Sequence, residues 1–229
     1  GRSIWYHHAT DFYRDIKYSF QAATSGTYTL QVTEEDNRTT ITTVAGSPNG
    51  LTRDNIPAIR ASLQAPQGVF IDNQNNLYIA DQNDYKVRKV TPSGTITTTA
   101  GTGSPSAFAN PYPGDNTQAT QIPMRPYDIF VDDQDNLYIS VQMHDGISGT
   151  SEHIRILKVD SSGNTTTYAG GGSNSPQVGG TGTDVRLTAS TPLYLDQQGN
   201  LYFRRSSTII QVGPSGIITQ LISIGTSNT

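Results

Sequence analysis

Cysteine is missing from all 229 residues. Its absence excludes a disulfide framework, a thiolate zinc site and a cysteine nucleophile. Charge is also sparse, with Asp, Glu, Lys and Arg together at 15% and a formal net charge of -4. A mildly acidic chain of this kind lacks the clustered Lys and Arg that nucleic acid or an anionic membrane would require. No apolar run approaches the ~18 residues of a membrane span. No serine sits in a Gly-x-Ser-x-Gly elbow, so no Ser/His/Asp set stands out. The glycines at Gly101, Gly103 and Gly170 to Gly172 do not open a helical pattern, which argues against a phosphate cradle. What fills the chain is Thr, Ser, Asn and Gln with 22 Gly and 12 Pro. Such neutral, turn-rich composition suits many short strands.

One phrase occurs three times: Pro66 to Asp81, Pro126 to Val141 and Pro192 to Arg205. Its aspartates Asp72, Asp132 and Asp196 lie 60 and 64 residues apart. A self-similar unit of that length predicts blades or solenoid turns. In the first copy, Gly68 to Asp72 and Leu77 to Ala80 are apolar runs around a polar, Asn-rich turn, the pattern of a hairpin. Tyr85 to Val90 and Thr95 to Ala100 come next, joined by Thr91-Pro92-Ser93-Gly94 with turn chemistry. The unit is therefore four antiparallel strands. Second halves recur at 153–170 and 208–222, and the Ala-Gly pairs at Ala45, Ala100 and Ala169 mark one recurring point. A further second half is expected at Tyr28 to Val32 and Thr39 to Gly46. That makes three clear first halves and four second halves, or about four blade equivalents with a degenerate first blade.

Residues 1–27 lack the phrase and carry Trp5, Tyr6, Phe12, Tyr13, Tyr18 and Phe20. Aromatic groups can each bury roughly 150–250 Å², so a segment this rich in them is expected to dock, on its own domain or on a neighbouring chain. The chain thus divides into an atypical segment, 1–27, and blades over 28–229.

The run Asn76-Leu77-Tyr78-Ile79-Ala80-Asp81-Gln82-Asn83-Asp84-Tyr85-Lys86-Val87-Arg88-Lys89-Val90 resembles the NHL repeat of β-propeller proteins. The stretch Gly114-Asp115-Asn116-Thr117-Gln118-Ala119-Thr120 is similar to the loop between successive NHL blades. The family's Asn-His pair is Asp84-Tyr85 here and is absent from the later units. The resemblance implies an all-β propeller of four-stranded blades. NHL propellers usually carry six, so the ring is small, incomplete or completed across chains. The last strand, Ile217 to Ile224, would then be a bare edge, open to strand addition.

Several residue groups invite chemistry. The three repeated aspartates suggest a carboxylate cluster, but recurrence at matching positions assigns them to hairpin turns. The Asn- and Asp-rich turns lack the alternating ligands, central Gly and late Glu of a calcium loop. Among the histidines, His7 and His8 are adjacent and point to opposite faces of a strand. His144 and His153 flank a Gly/Ser insertion with no third ligand close in sequence. The basic residues Lys86, Arg88, Lys89, Arg155, Lys158, Arg204 and Arg205 are read as neutralising nearby carboxylates, not as an RNA face. Asn37-Arg38-Thr39 and Asn164-Thr165-Thr166 are N-glycosylation acceptors at turns. The inter-blade stretches 47–65, 102–125 and 171–191 are long, which marks function or closure. Tyr112 and Arg125 are the contact candidates there.

These readings point to a non-enzymatic, extracellular interaction or structural module without cofactor or resident metal. Its expected partners are proteins, including copies of itself associating through residues 1–27 into a filament, with covalent glycans at Asn37 and Asn164. The alternative is a metal-dependent lyase or hydrolase of the propeller type, resting on His144 and His153.

Overall fold

The computed structural model describes residues 17–22, 28–33, 42–104, 112–144, 152–187 and 193–223. Apart from short 3-10 turns, regular structure among them is β. Strands β1 (Lys17–Ala22) and β2 (Tyr28–Thr33) form a two-stranded antiparallel sheet, Lys17 opposite Thr33 and Ala22 opposite Tyr28. The boundary expected between 27 and 28 falls inside this hairpin. The strand expected at Tyr28 to Val32 is present and pairs with β1, while the start of the partner expected at Thr39 to Gly46 lies outside the described residues. A connection this short closes at little entropic cost. Residues 42–50 are turn and coil.

Three larger sheets complete the described chain. The first holds β3 (Ile56–Pro57), β4 (Pro66–Ile71), β5 (Leu77–Asp81), β6 (Lys86–Val90) and β7 (Thr95–Ala100), in the order β3-β7-β6-β5-β4. The second holds β8 (Arg125–Val131), β9 (Leu137–His144), β10 (Glu152–Val159) and β11 (Thr165–Gly170), in the order β11-β10-β9-β8. The third holds β12 (Leu193–Leu195), β13 (Leu201–Arg205), β14 (Thr208–Val212) and β15 (Ile218–Ser223), again in chain order. Four sequential antiparallel strands per sheet, to which the first sheet adds the two-residue β3 beside β7, are the blades of a β-propeller architecture.

By density of internal contacts the chain falls into two units. One is residues 1–64 with 90–97, and the other is 65–89 with 98–229. The second unit contains the packing between blades. Period-2 alternation gives each blade two apolar faces. Tyr78, Ala80 and Val87 of the first blade pack with Ile129, Val131, Leu137, Ile139, Leu157 and Val159 of the second. The other face of the second blade, with Tyr138, Ile154, Ile156 and Ala169, packs with Leu193, Leu201, Phe203, Ile210 and Val212 of the third. Phe70 and Phe130 meet at 4.6 Å between centroids, and Tyr168 donates to the Gly213 carbonyl at 3.0 Å.

The turns repeat as closely as the strands. Asp72, Asp132 and Asp196 each accept a backbone N–H two residues on and another four residues on, at 2.8–3.0 Å. Each also accepts the side-chain amide of Asn76, Asn136 or Asn200 at 2.8 Å. The left-handed position one residue before that Asn is Asn75, Asp135 or Gly199. The structural role expected of these aspartates is the one observed.

The inter-blade stretches are not free surface loops. Asn55, Asn116 and Gly179 donate their N–H to Ile96, Thr165 and Ile218, on the outer strand of the adjoining sheet. Three residues later Ala58, Ala119 and Gly182 donate to the turn glycines Gly94, Gly163 and Gly216. Asn55, Asn116 and Gly179 all have positive φ. A short 3-10 turn comes next each time, and then buried apolar residues: Ala61 and Leu63, Ile122 and Met124, Val185 and Leu187. Each stretch therefore lies along the outer edge of its blade. The edge of β15 is not bare as expected, because Gly179 and Gly180 hydrogen-bond to Ile218 and Thr181 bridges Ile217. At two of the three Ala-Gly pairs the bond is shared: Gly46 and Gly101 donate to the carbonyls of Ala58 and Ala119.

Candidate functional site

Two places in the blades depart from the repeat, and both involve residue types that repetition alone does not explain. The first is the outward face of the third blade. In register, Tyr194, Tyr202, Gln211 and Gln220 lie side by side across β12 to β15, with Arg204, Ile209 and Ile222 in the next row. Several of their counterparts in the earlier blades are buried, while Phe70 and Phe130, which match Tyr194, are half-buried. Tyr78 and Tyr138 are 6% and 4% exposed, and Ala80, Val87, Ser140 and Ile156 are fully buried. In the third blade Tyr194 is 62% exposed and Ile222 42%, Arg204 is exposed, and Tyr202 and Ile209 are half-buried.

Two polar groups of this face, Tyr202 and Gln211, are satisfied from within. Gln211 donates to the Tyr202 hydroxyl at 2.9 Å, and Tyr202 donates to Asp196 at 3.0 Å. Burial would pull the Asp196 carboxyl up, but donors from Asn200, Tyr202 and Gln198 prevail and hold it below the usual carboxylate range. The earlier blades place a lysine where Gln211 stands: Lys89 lies 5.1 Å from the Tyr78 ring and Lys158 5.6 Å from the Tyr138 ring. Burial raises both of those tyrosines above the usual phenol range. The third face can thus be covered by a partner without stranding Tyr202 or Gln211.

The second departure is Asp128 on β8. The repeat places Gly68 at the matching position of the first blade and Pro192 in the third. Asp128 is buried, and its carboxylate accepts the Leu193 N–H of β12 at 2.8 Å. A Cβ on Gly68 would stand 2.5 Å from an Asp128 oxygen, so β4 admits only glycine there. Burial pushes the Asp128 carboxyl up to about 6, against the N–H groups of Leu193 and Ile129, which lower it.

The candidates named from the sequence are distributed over both units. Tyr112 donates to Asp115 at 2.8 Å and lies under the Arg155 guanidinium at 4.9 Å. Asp115 in turn accepts the N–H and hydroxyl of Thr167 on β11. Arg125 reaches the side-chain oxygens of Gln82 and Asn83 at 3.3 and 3.0 Å. Both candidates therefore join neighbouring segments within the fold. Asn164 is half-buried, with its side-chain oxygen accepting from Gln118 at 2.7 Å. Asn37, Trp5, Tyr6, Phe12 and Tyr13 lie outside the described residues. Tyr18 and Phe20 are positions on β1, opposite Val32 and Leu30. His144 stands opposite Glu152 in the β9–β10 register, and His153 opposite Met143. Among the described residues no three His, Asp or Glu side chains form a group that could hold a metal ion. Of the basic residues, Lys86 and Arg88 lie 3.5 and 3.6 Å from Asp84, and Arg205 donates to the Arg186 carbonyl.

No family model matches the chain. No curated protein matches it either. Solved structures do. A protein of unknown function from Bacteroides thetaiotaomicron aligns over 89% of this chain with 17% identity and a TM-score of 0.54. An auxiliary nutrient binding protein from the same organism aligns over 90% with 14% identity and a TM-score of 0.53. In both cases the match covers 43% of the other chain. An inactive virginiamycin B lyase from Staphylococcus aureus aligns over 99% at 14% identity, across 60% of its own length, with a TM-score of 0.46. At these identities the likeness concerns the fold alone. The chain spans about half the length of the structures it matches.

Sequence reasoning missed both departures, although the signals were present. Arg204 stands where the phrase otherwise has Ala80 or Ser140, and Asp128 stands where it has Gly68. Aligning the three copies position by position would have exposed both.

Proposed function

We propose that this chain is a non-enzymatic protein-interaction module built of NHL-like propeller blades. Its binding surface is the outward face of the third blade, and the occupant is the aromatic segment 1–27 of a second copy. The observation that carries this reading is the contrast at equivalent positions: Tyr78, Tyr138, Ile156 and Ala169 are buried in the first two blades, while Tyr202 and Ile209 are half-buried and Tyr194 and Ile222 exposed in the third. Exposed aromatic and aliphatic side chains set among Arg and Gln are the usual composition of a contact site. Trp5, Tyr6, Phe12, Tyr13, Tyr18 and Phe20 supply the matching apolar payload. Strand addition to β15 is the weaker route, because Gly179 to Thr181 already occupy the edge at Ile217 and Ile218. A segment-to-face contact is heterologous, so unless a ring closes it continues copy upon copy into a fibre. An extracellular setting, with glycans at Asn37 and Asn164, belongs to the same proposal.

Sedimentation of the full chain across a range of concentrations tests it. Wild type is expected to self-associate, while Tyr194→Asp with Ile222→Asp, and separately a deletion of 1–27, stay monomeric. A wild-type chain that is monomeric at every concentration contradicts the proposal.

A further inference from the structure

The first two blades are joined at their turns as well as through their faces. The turn between β4 and β5 meets the turn between β8 and β9. Asn73 donates its side-chain amide to Asp133 at 2.8 Å, and Gln74 donates to both oxygens of Asp135 at 3.1 and 3.0 Å. Amide donors on one blade thus clasp two carboxylates, two positions apart, on the next. Hydrogen bonds to ionised acceptors are the stronger kind.

The second blade does not repeat this clasp toward the third. Gln134 stands where Gln74 does, but the acceptor position is Gly199, which has no side chain. The third blade carries the donor half again. Its turn, between β12 and β13, holds Gln197 and Gln198 at the places of Asn73 and Gln74. Both are exposed, and among the described residues neither side-chain amide has an acceptor. They stand at the end of the open face, just past Tyr194.

Two pairs of carboxylates with the required spacing occur in the sequence. Asp133 and Asp135 are already held. The other pair is Glu34 and Asp36. They close a stretch that copies the second blade: Tyr28, Leu30, Val32, Glu34, Asp36 and Asn37 have the spacing of Tyr127, Ile129, Val131, Asp133, Asp135 and Asn136. Strand β2 occupies in that stretch the place of β8.

We infer that Gln197 and Gln198 receive Glu34 and Asp36 of a second copy, forming between chains the clasp that joins the first blade to the second; this rests on the third face being a self-association surface, and it names the contact that sets its register. The β1–β2 register puts Thr33 opposite Lys17, so the acidic run begins level with the residue at which the aromatic segment enters β1. Aromatic residues laid on the face therefore bring the acidic run to its rim. Donors on the blade and acceptors on the segment also make the contact head to tail.

Reversing the clasp in the full chain tests it, with sedimentation as the readout. Gln197→Glu with Gln198→Glu sets carboxylates against carboxylates and is expected to weaken self-association roughly tenfold or more. Glu34→Gln with Asp36→Asn sets amides against amides and is expected to weaken it as well. Mixed in equal amounts, the two variants face every amide pair with a carboxylate pair, and association is expected to return to wild-type strength. A contact within one chain does not respond to mixing, and neither does a misfolded variant. Either variant associating alone at wild-type strength, or no recovery on mixing, overturns the clasp. If Tyr194→Asp with Ile222→Asp is monomeric in that same experiment, the open face stands as the contact and only the clasp falls. A wild type that stays monomeric overturns both.

Discussion

Single residues set the geometry of each blade through a small number of strong local bonds. Asp132 accepts the N–H groups of Gln134 and Asn136 and the side-chain amide of Asn136. Asp132→Ala leaves those donors to water and is expected to cost about 1–2 kcal/mol, because the site is partly solvated. A urea midpoint lowered with unchanged slope would show it. Asp196→Ala should behave alike, and also release Tyr202 from its acceptor. The role of these aspartates was legible because identical residues recurred at matching places in the phrase. Asp128 was not legible in the same way, since it breaks the repeat and its partner Leu193 lies 65 residues away. Nothing local in the chain announces a bond of that reach.

At the scale of elements, the strands were readable and the stretches between them were not. Their Pro, Gly and Asn content reads as irregular surface, yet each carries a small vocabulary: a left-handed residue, a small buried one three later, then apolar residues. Asn55, Asn116 and Gly179 fill the first position. A side chain without the local hydrogen bonding of Asn costs about 1–2 kcal/mol in that conformation, while Gly costs nothing sterically. Asn116→Ala is therefore expected to destabilise by about 1 kcal/mol and Asn116→Gly by only a few tenths, measured by thermal or urea unfolding. Ala119 sits fully buried at the next position, so Ala119→Leu is expected to cost about 1–3 kcal/mol through overpacking. The alanine at this place was visible in the resemblance to the NHL loop, but its hydrogen bond to the turn at Gly163 was not. Composition records the irregularity of a segment and says nothing of the strand edge it lies on.

For the molecule, the decisive feature is a repeat interrupted at one face. Blades bury their faces against the next in line, and the third leaves Tyr194 and Ile222 exposed while the start of its outer edge is already paired. The all-β fold was readable from three copies of one phrase. The identity of the open face was not, because exposure depends on the neighbours a face meets in space and not on its own residues. Under the proposed reading, residues 1–27 of a second copy cover that face.

Association through a face instead of an edge requires that the inter-blade stretches act as edge strands. Amide exchange at six positions measures it: Asn55, Asn116 and Gly179, and Ala58, Ala119 and Gly182. All six should be protected to the degree of the strands they join, despite lying in irregular chain. Exchange of these amides at the rate of an open loop would contradict it.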